Sequence, residues 1–295
     1  MPLRRNLFVF ALAAALVAAA QGFAPRAAAA PQKTRAAAPA KQAAAQKPAP
    51  EPSGPLAEAA PFVNKILPNG PEVIVLEDHS VPLVTVELAV RNGSFTEPPE
   101  LNGLSHLFEH MFFKVSPERA AKADYLRNID QLGIVYNGET HEEVVNYYFT
   151  TTAPNFPVAM RFMRDQARFQ AFDEQQFAQE KEVVVGELER NESNPFGDLG
   201  DEMNRRLFYK YPSRKMPGGD IKTVRGATTD MMRLIQSRYY VPNNSAIVVT
   251  GDVRPPEVFR LVEDLFGDWP RRAKDPFVEF PLVEHPPLPK SESCS

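Results

Sequence analysis

Two histidines four residues apart flank a glutamate in His106-Leu107-Phe108-Glu109-His110. At 3.6 residues per turn, a helix places both imidazoles on one face, one turn apart. So placed, they can hold a single metal ion at about 2.0–2.1 Å each. Glu109 follows His106 by three residues, so its carboxylate projects near the same face. It need not be a ligand, and is then free to take a proton from a metal-activated water. The order is the inverted H-x-x-E-H of one class of zinc hydrolases.

Such a site needs a third protein ligand and one open position. The best donors lie in Glu180-Lys181-Glu182-Val183-Val184-Val185-Gly186-Glu187-Leu188-Glu189. Glu180 and Glu187 are two helical turns apart and face one way, while Glu182 and Glu189 form a second such pair on an adjacent face. Spacing alone does not choose between the pairs. A plainer reading makes the first helix ordinary core with hydrogen-bonded imidazoles, and the second a solvated acidic face. Among the other histidines, His79 and His285 sit in turn or proline-rich contexts that suit the surface. His141 lies beside strands that should line the site.

The elements that must position these groups can be read from hydrophobic pattern and punctuation. Glu72–Leu76 and Leu83–Val90 are β-rich runs separated by Asp78-His79-Ser80, the pattern of a hairpin. Gly103–Lys114 reads as the helix that carries the motif, and a second helix is expected after Ser116-Pro117-Glu118. Gly133–Tyr136 and Val144–Thr152 suggest another pair of strands. Helices follow over Phe156–Ala171, Asp173–Glu192 and Asp198–Tyr209, the middle one with Asp173 as its N-cap. A helix near Thr229–Tyr240, a strand over Ser245–Thr250 and a helix over Pro255–Phe266 complete the set. Strands and helices do not alternate regularly, which favours an α+β fold, a mostly antiparallel sheet packed against helices.

The outer limits follow from composition. Arg4 and Arg5 precede the apolar run Leu7–Ala20, and Ala18 and Ala20 supply an A-x-A-like cleavage site, so residues 1–20 read as an export signal. That run is shorter than the roughly 20 residues a membrane-spanning helix needs. Residues 21–60 are rich in Ala, Pro, Lys and Gln and read as a disordered tether. Residues 61–275 then form the folded domain, and 276–295 a proline-rich tail. The lone Cys294 excludes an internal disulfide, and the mixed charges, −4 net, show no basic stripe for nucleic acid. An exported protein, periplasmic or secreted, with no stable membrane span is the expectation.

Several stretches resemble the amino-terminal half of insulinase/pitrilysin-family peptidases: Leu67-Pro68-Asn69-Gly70, the Asp78–Pro82 turn and Arg91-Asn92-Gly93-Ser94. Gly103–Lys114 is similar to that family's zinc helix almost residue for residue. Val183–Pro195 resembles the run that holds the third ligand, and Arg238–Asn244 and Val248–Val253 resemble further landmarks. The resemblance covers about residues 62 to 270.

It implies zinc held by His106, His110 and Glu187, with Glu109 as the base that deprotonates a zinc-bound water. Glu180 is then the acid that orients a ligand histidine. Asn137-Gly138-Glu139-Thr140 is similar to the family's substrate-binding edge strand, which pairs with an extended peptide. Gly138 stands where alanine is usual, and Pro71 interrupts the run after Asn69-Gly70, so the first strand is expected to start late. Family members continue into a second, similar half that closes like a clamshell and supplies an Arg and a Tyr to the substrate backbone. No matching half is found here, so the resemblance implies a companion peptidase-family subunit or self-association. The implied activity is zinc-dependent cleavage of extended peptides. The alternative is a low-turnover subunit that binds metal or peptide within a peptidase complex.

Overall fold

The computed structural model describes residues 62–114, 133–207 and 216–281. Its strands are β1 (Val63–Ile66), β2 (Glu72–Glu77), β3 (Leu83–Val90), β4 (Val135–Thr140), β5 (Val145–Thr152) and β6 (Ser245–Gly251). They form one sheet in the order β1-β2-β6-β3-β5-β4. Only the β2–β6 pairing is parallel. The helices are α1 (Leu104–Phe112), α2 (Phe156–Phe169), α3 (Glu174–Glu192) and α4 (Pro195–Leu207), then α5 (Ile221–Gly226), α6 (Thr229–Tyr239), α7 (Pro255–Phe266) and α8 (Pro276–Glu279). This is the α+β arrangement that the pattern predicts. None of the described helices is long and apolar enough to cross a membrane.

Period-two alternation decides which face of the sheet carries the core. Val84, Val86, Leu88 and Val90 of β3 are buried in line with Val73 and Val75 of β2 and Tyr147 and Phe149 of β5. They meet Leu107, Phe108, Met111 and Phe112 of α1 and Met160 and Met163 of α2 in one apolar cluster. Aromatic stacking fixes α1 on this surface: Phe112 lies over Tyr147 and Phe108 over Tyr240, with ring centroids 3.6 and 4.0 Å apart. The two tyrosine hydroxyls meet at 2.5 Å in the interior.

The hairpin expected from Glu72–Leu76 and Leu83–Val90 does not form. β6 lies between β2 and β3 and bonds to both. Ser245–Gly251 supplies a run that is apolar on both sides, which suits a central strand. The turn is correspondingly tied to β6 rather than closed on itself, through Asp78 N–H to Gly251 O and Asp252 N–H to Leu83 O, both 2.9 Å. Gly251 makes the approach possible: its φ is +119°, and a Cβ there would lie 2.1 Å from Leu83 O.

β2 begins directly after Pro71, and a further strand, β1, precedes it; its four residues are all exposed, and Val63 and Ile66 do not alternate with polar residues. α5 and α8 also lie beyond what the sequence pattern predicts. α8 follows Asp275, which pairs with Arg91 at 2.5 Å, while Arg91 also lies over the Phe277 ring. The helix anticipated after Ser116-Pro117-Glu118 and His285 lie outside the described residues.

Candidate metal centre

α1 is held at both ends by buried polar side chains. Its first N–H groups have no intrahelical acceptor, and the buried Glu97 carboxylate takes them, from Gly103 at 2.7 Å and Ser105 at 2.6 Å. At the other end Gln166 and Gln170, at the close of α2, donate to the carbonyls of Phe112 and Met111, and both donate to Lys114 O. Gly103 enters the helix at φ +92° with its Cα packed against Gly219, where a Cβ would lie 2.2 Å away. The motif helix therefore has little freedom to turn about its axis.

On α3, Asp173 caps the first turn by accepting from Gln176 N–H, as its position predicts. Phe177, Val184, Val185 and Leu188 bury one side of this helix. That choice of side settles which acidic pair faces α1. Glu180 and Glu187 point to the histidines, whereas Glu182 is exposed and Glu189 pairs with Arg225 at 3.0 Å.

Donor atoms of His106, His110 and Glu187 all lie within 4.8 Å of one another. Oε2 of Glu187 stands 3.5 Å from His110 Nε2 and 3.7 Å from His106 Nε2. Ligands bound at about 2.0–2.2 Å to one tetrahedral ion are about 3.3–3.6 Å apart. These two separations are too long for good hydrogen bonds, and they lie close to the spacing of donors that share a divalent ion. Burial, with His110 beside it, pulls the His106 imidazole down to about 4, so at neutral pH it is uncharged and offers a lone pair.

Further polar groups stand around this trio. Glu180 places Oε2 3.3 Å from His110 Nδ1, and its Oε1 receives Lys114 Nζ at 2.6 Å. Glu109 lies on the other side, near β4, where Thr140 donates its hydroxyl to Oε2 at 2.6 Å. Burial raises the Glu109 carboxyl above its ordinary value, against the lowering effect of the Thr140 bond and of His110.

Among the described residues β4 is the last strand of the sheet, and it covers all of Asn137, Gly138, Glu139 and Thr140. Tyr136, Gly138 and Thr140 face α1, and Gly138 abuts Glu109: a Cβ there would lie 2.7 Å from Glu109 Cγ. Asn137 and Glu139 face the opposite side. His79 is exposed and bridges Glu77 and Asp252 at 2.6 Å each, away from the trio. His141 is exposed, 3.4 Å from Glu139. Sequence reasoning does not reach Glu97, Gln166, Gln170 or Lys114. A Gln pair four residues apart is the one available signal; nothing local marks Glu97, which reaches α1 across the loop of Pro98 and Pro99.

Residues 72–212 match the sequence profile of the insulinase family (peptidase family M16), and residues 227–293 match that of the peptidase M16 inactive domain. Because β6 sits between β2 and β3, the two stretches share one sheet. The chain is 27% identical over 213 residues to an uncharacterised zinc protease, YmxG, of Bacillus subtilis, covering 72% of this chain and 52% of that one. It is also 27% identical over 221 residues to a probable mitochondrial-processing peptidase subunit beta of Arabidopsis thaliana, covering 75% and 41%. Among solved structures, a protease from Helicobacter pylori shares the fold with a TM-score of 0.68 at 22% identity, over 74% of this chain and 52% of that one. The periplasmic protease PqqL from Escherichia coli does so with a TM-score of 0.62 at 21% identity, over 71% and 24%. The chain thus spans about half the length of the curated relatives it matches, or less.

Proposed function

Since the chain belongs to the insulinase family of peptidases, M16, we propose that it is a zinc-dependent endopeptidase domain acting on extended peptides. The observation that carries this reading is the convergence of His106, His110 and Glu187 on one point, with Glu109 beside them and outside the donor set. These three residues would hold the ion. Zinc, when bound, supplies Lewis acidity for the activation of water and of a peptide carbonyl.

The chain's own groups divide the remaining work. With Oε2 engaged by Thr140, Glu109 keeps Oε1 to accept a proton from water and to hand it to the leaving amine. Its raised pKa suits an acid–base role near neutral pH. Glu180, braced by Lys114, holds the His110 ring by Nδ1 and so aims Nε2 at the site. β4 offers an edge at which an extended peptide can add as a further strand, its backbone supplying affinity without much sequence preference.

A companion half, from a longer form of the chain or another subunit, fits the relatives' greater length. α4 supports it: Phe196, Leu199, Met203 and Leu207 form an exposed apolar stripe along one side. The basic-then-apolar pattern of residues 4–20 supports export.

The deciding test is Glu109→Gln. We expect the purified variant to retain the zinc content of the parent chain while its cleavage of a fluorogenic peptide falls about 100- to 10,000-fold. Equal turnover in the two proteins removes Glu109 from the mechanism.

A further inference from the structure

We propose that the side of β4 facing away from α1 is a subsite for a basic side chain of the bound peptide, formed by Glu139, Glu87 and Asn146. The inference rests on the reading above that a peptide adds to the β4 edge.

The register brings these residues together. Glu139 pairs with Asn146 of β5, which pairs in turn with Ala89 of β3, and Glu87 lies two residues along β3 on the same face. Partners directly across a ladder stand about 4.5–5.5 Å apart, and diagonal ones about 7–8 Å. Ala89 contributes only a methyl beyond Asn146, which leaves the diagonal from Asn146 to Glu87 open, while Tyr148 stands directly across from Glu87 on the same face and bounds the group on that side.

All three present acceptors without enough donors. Asn146 is 7% exposed, and its Oδ1 has no hydrogen-bond partner among the described residues. Glu87 is 9% exposed, and no Lys or Arg among the described residues pairs with it. The Glu139 side chain, 42% exposed, has His141 as its one ion-pair partner among the described residues, at a long 3.4 Å. Burial and the neighbouring Glu139 push the Glu87 carboxyl up to about 7, the cost of holding a carboxylate there without a cation.

A buried acceptor with one carboxylate across the ladder and another on its diagonal matches the donors of an ammonium or guanidinium group. A peptide strand added at β4 sits about 4.7–4.9 Å outside it. Every second side chain of that strand points to this face, starting beside Glu139, and a Lys or Arg stem is long enough to carry its charge inward toward Asn146. An acidic side chain in the same place would meet two carboxylates. The remaining side chains point toward α1 and meet a different surface, Gly138 and the Glu109–Thr140 pair. Preference for basic residues should therefore recur at alternate positions of the substrate.

The test uses the Glu109→Gln full chain, so that the probe persists, and a fluorescein-labelled unfolded peptide with one Lys moved stepwise along it. Its counterpart carries norleucine at the same positions, and fluorescence anisotropy gives affinity. We expect Lys to bind at least about fivefold more tightly than norleucine at alternate positions, the scale of a charge-assisted hydrogen bond. The ratio should fall to about one in Glu139→Gln and in Glu87→Gln. Glu139→Lys should shift the preference to a Glu-containing peptide, a readout that stands even if Glu87→Gln does not fold. Equal affinity for Lys and norleucine peptides, or a preference that survives both glutamine substitutions, overturns the subsite while leaving the edge strand intact. If neither peptide binds, the edge-strand reading fails and the subsite falls with it.

Discussion

Thr140 on β4 donates its hydroxyl to Oε2 of Glu109 on α1 over 2.6 Å, so the strand at the proposed peptide-binding edge is bonded to the candidate base. The bond favours the ionised carboxylate and opposes the burial that raises its pKa. Thr140→Val keeps the shape and removes the donor. The acid limb of kcat/KM against pH should then move to higher pH, with turnover at neutral pH falling about tenfold or less. An unmoved limb would show that the hydroxyl does not tune Glu109.

Metal binding should separate the acids of α3. Glu187→Gln should lower zinc affinity by more than the about 10- to 100-fold that loss of an outer hydrogen-bonding partner costs. Glu180→Gln should fall within that range, because it frees the His110 ring but removes no donor. Glu189→Gln breaks only an exposed pair with Arg225 and should leave the metal content unchanged. Zinc titration against a competing chelator reads all three. A Glu189 variant that empties the site would reverse the assignment.

Gly138→Ala tests the space that Glu109 occupies. The new Cβ would lie 2.7 Å from Glu109 Cγ and 3.1 Å from Phe113 Cε2, so the carboxylate must shift. A misplacement on the order of 1 Å can cost about 100-fold in rate. We expect kcat to fall at least about tenfold with KM little changed, since the strand's backbone edge is untouched. Unchanged kcat would mean that the base has room to spare.

Glu87 should make stability depend on pH. Its carboxyl is raised to about 7 in the folded chain from a reference of 4.5. Below pH 4.5 both folded and unfolded forms are protonated there, and no cost arises. Between the two values the unfolded chain ionises first, so stability is lost as pH rises toward 7 and stays lost above it. Glu87→Gln removes the ionisation and should stabilise the chain by about 2–3 kcal/mol at about pH 8. At about pH 4 the gain should vanish. Urea denaturation at the two pH values measures it; an equal difference at both would place the effect elsewhere.

Local pattern is enough to place the motif helix and the Asp173-capped helix, because each is amphipathic and each has a punctuated start. It also anticipates a pair of strands at β4 and β5, but puts the first at Gly133–Tyr136, whereas β4 runs Val135–Thr140 and only the family resemblance marks Asn137–Thr140 as strand. The same local reasoning fails at Asp78-His79-Ser80. A turn signal reports that the chain reverses, not which strand fills the gap. Here β6 fills it, and Val90 at the end of β3 pairs with Ser245, far along the chain. A contact so distant in sequence leaves no trace in a local window. Glu87 is legible only in part. A charge inside Leu83–Val90 marks the face opposite Val84, Val86 and Leu88, but its burial depends on neighbours in β5 and β6. Glu97 is illegible for the same reason, since it caps a helix across a loop rather than from the N-cap position.

The insertion of β6 between β2 and β3 also sets the order in which the chain can become stable. Until Gly251 has been made and docked, β2 and β3 each expose an unpaired edge, and the sheet that supports α1 has a gap at its centre. Closing it requires loops far longer than a hairpin's, and such non-local pairing slows folding. The helix that carries His106 and His110 should therefore acquire its fixed orientation late, and partly synthesised chains should be prone to edge-to-edge association. A slow, concentration-sensitive refolding phase, in which α1 protection appears together with that of β6 in hydrogen exchange, is the kinetic signature of this topology.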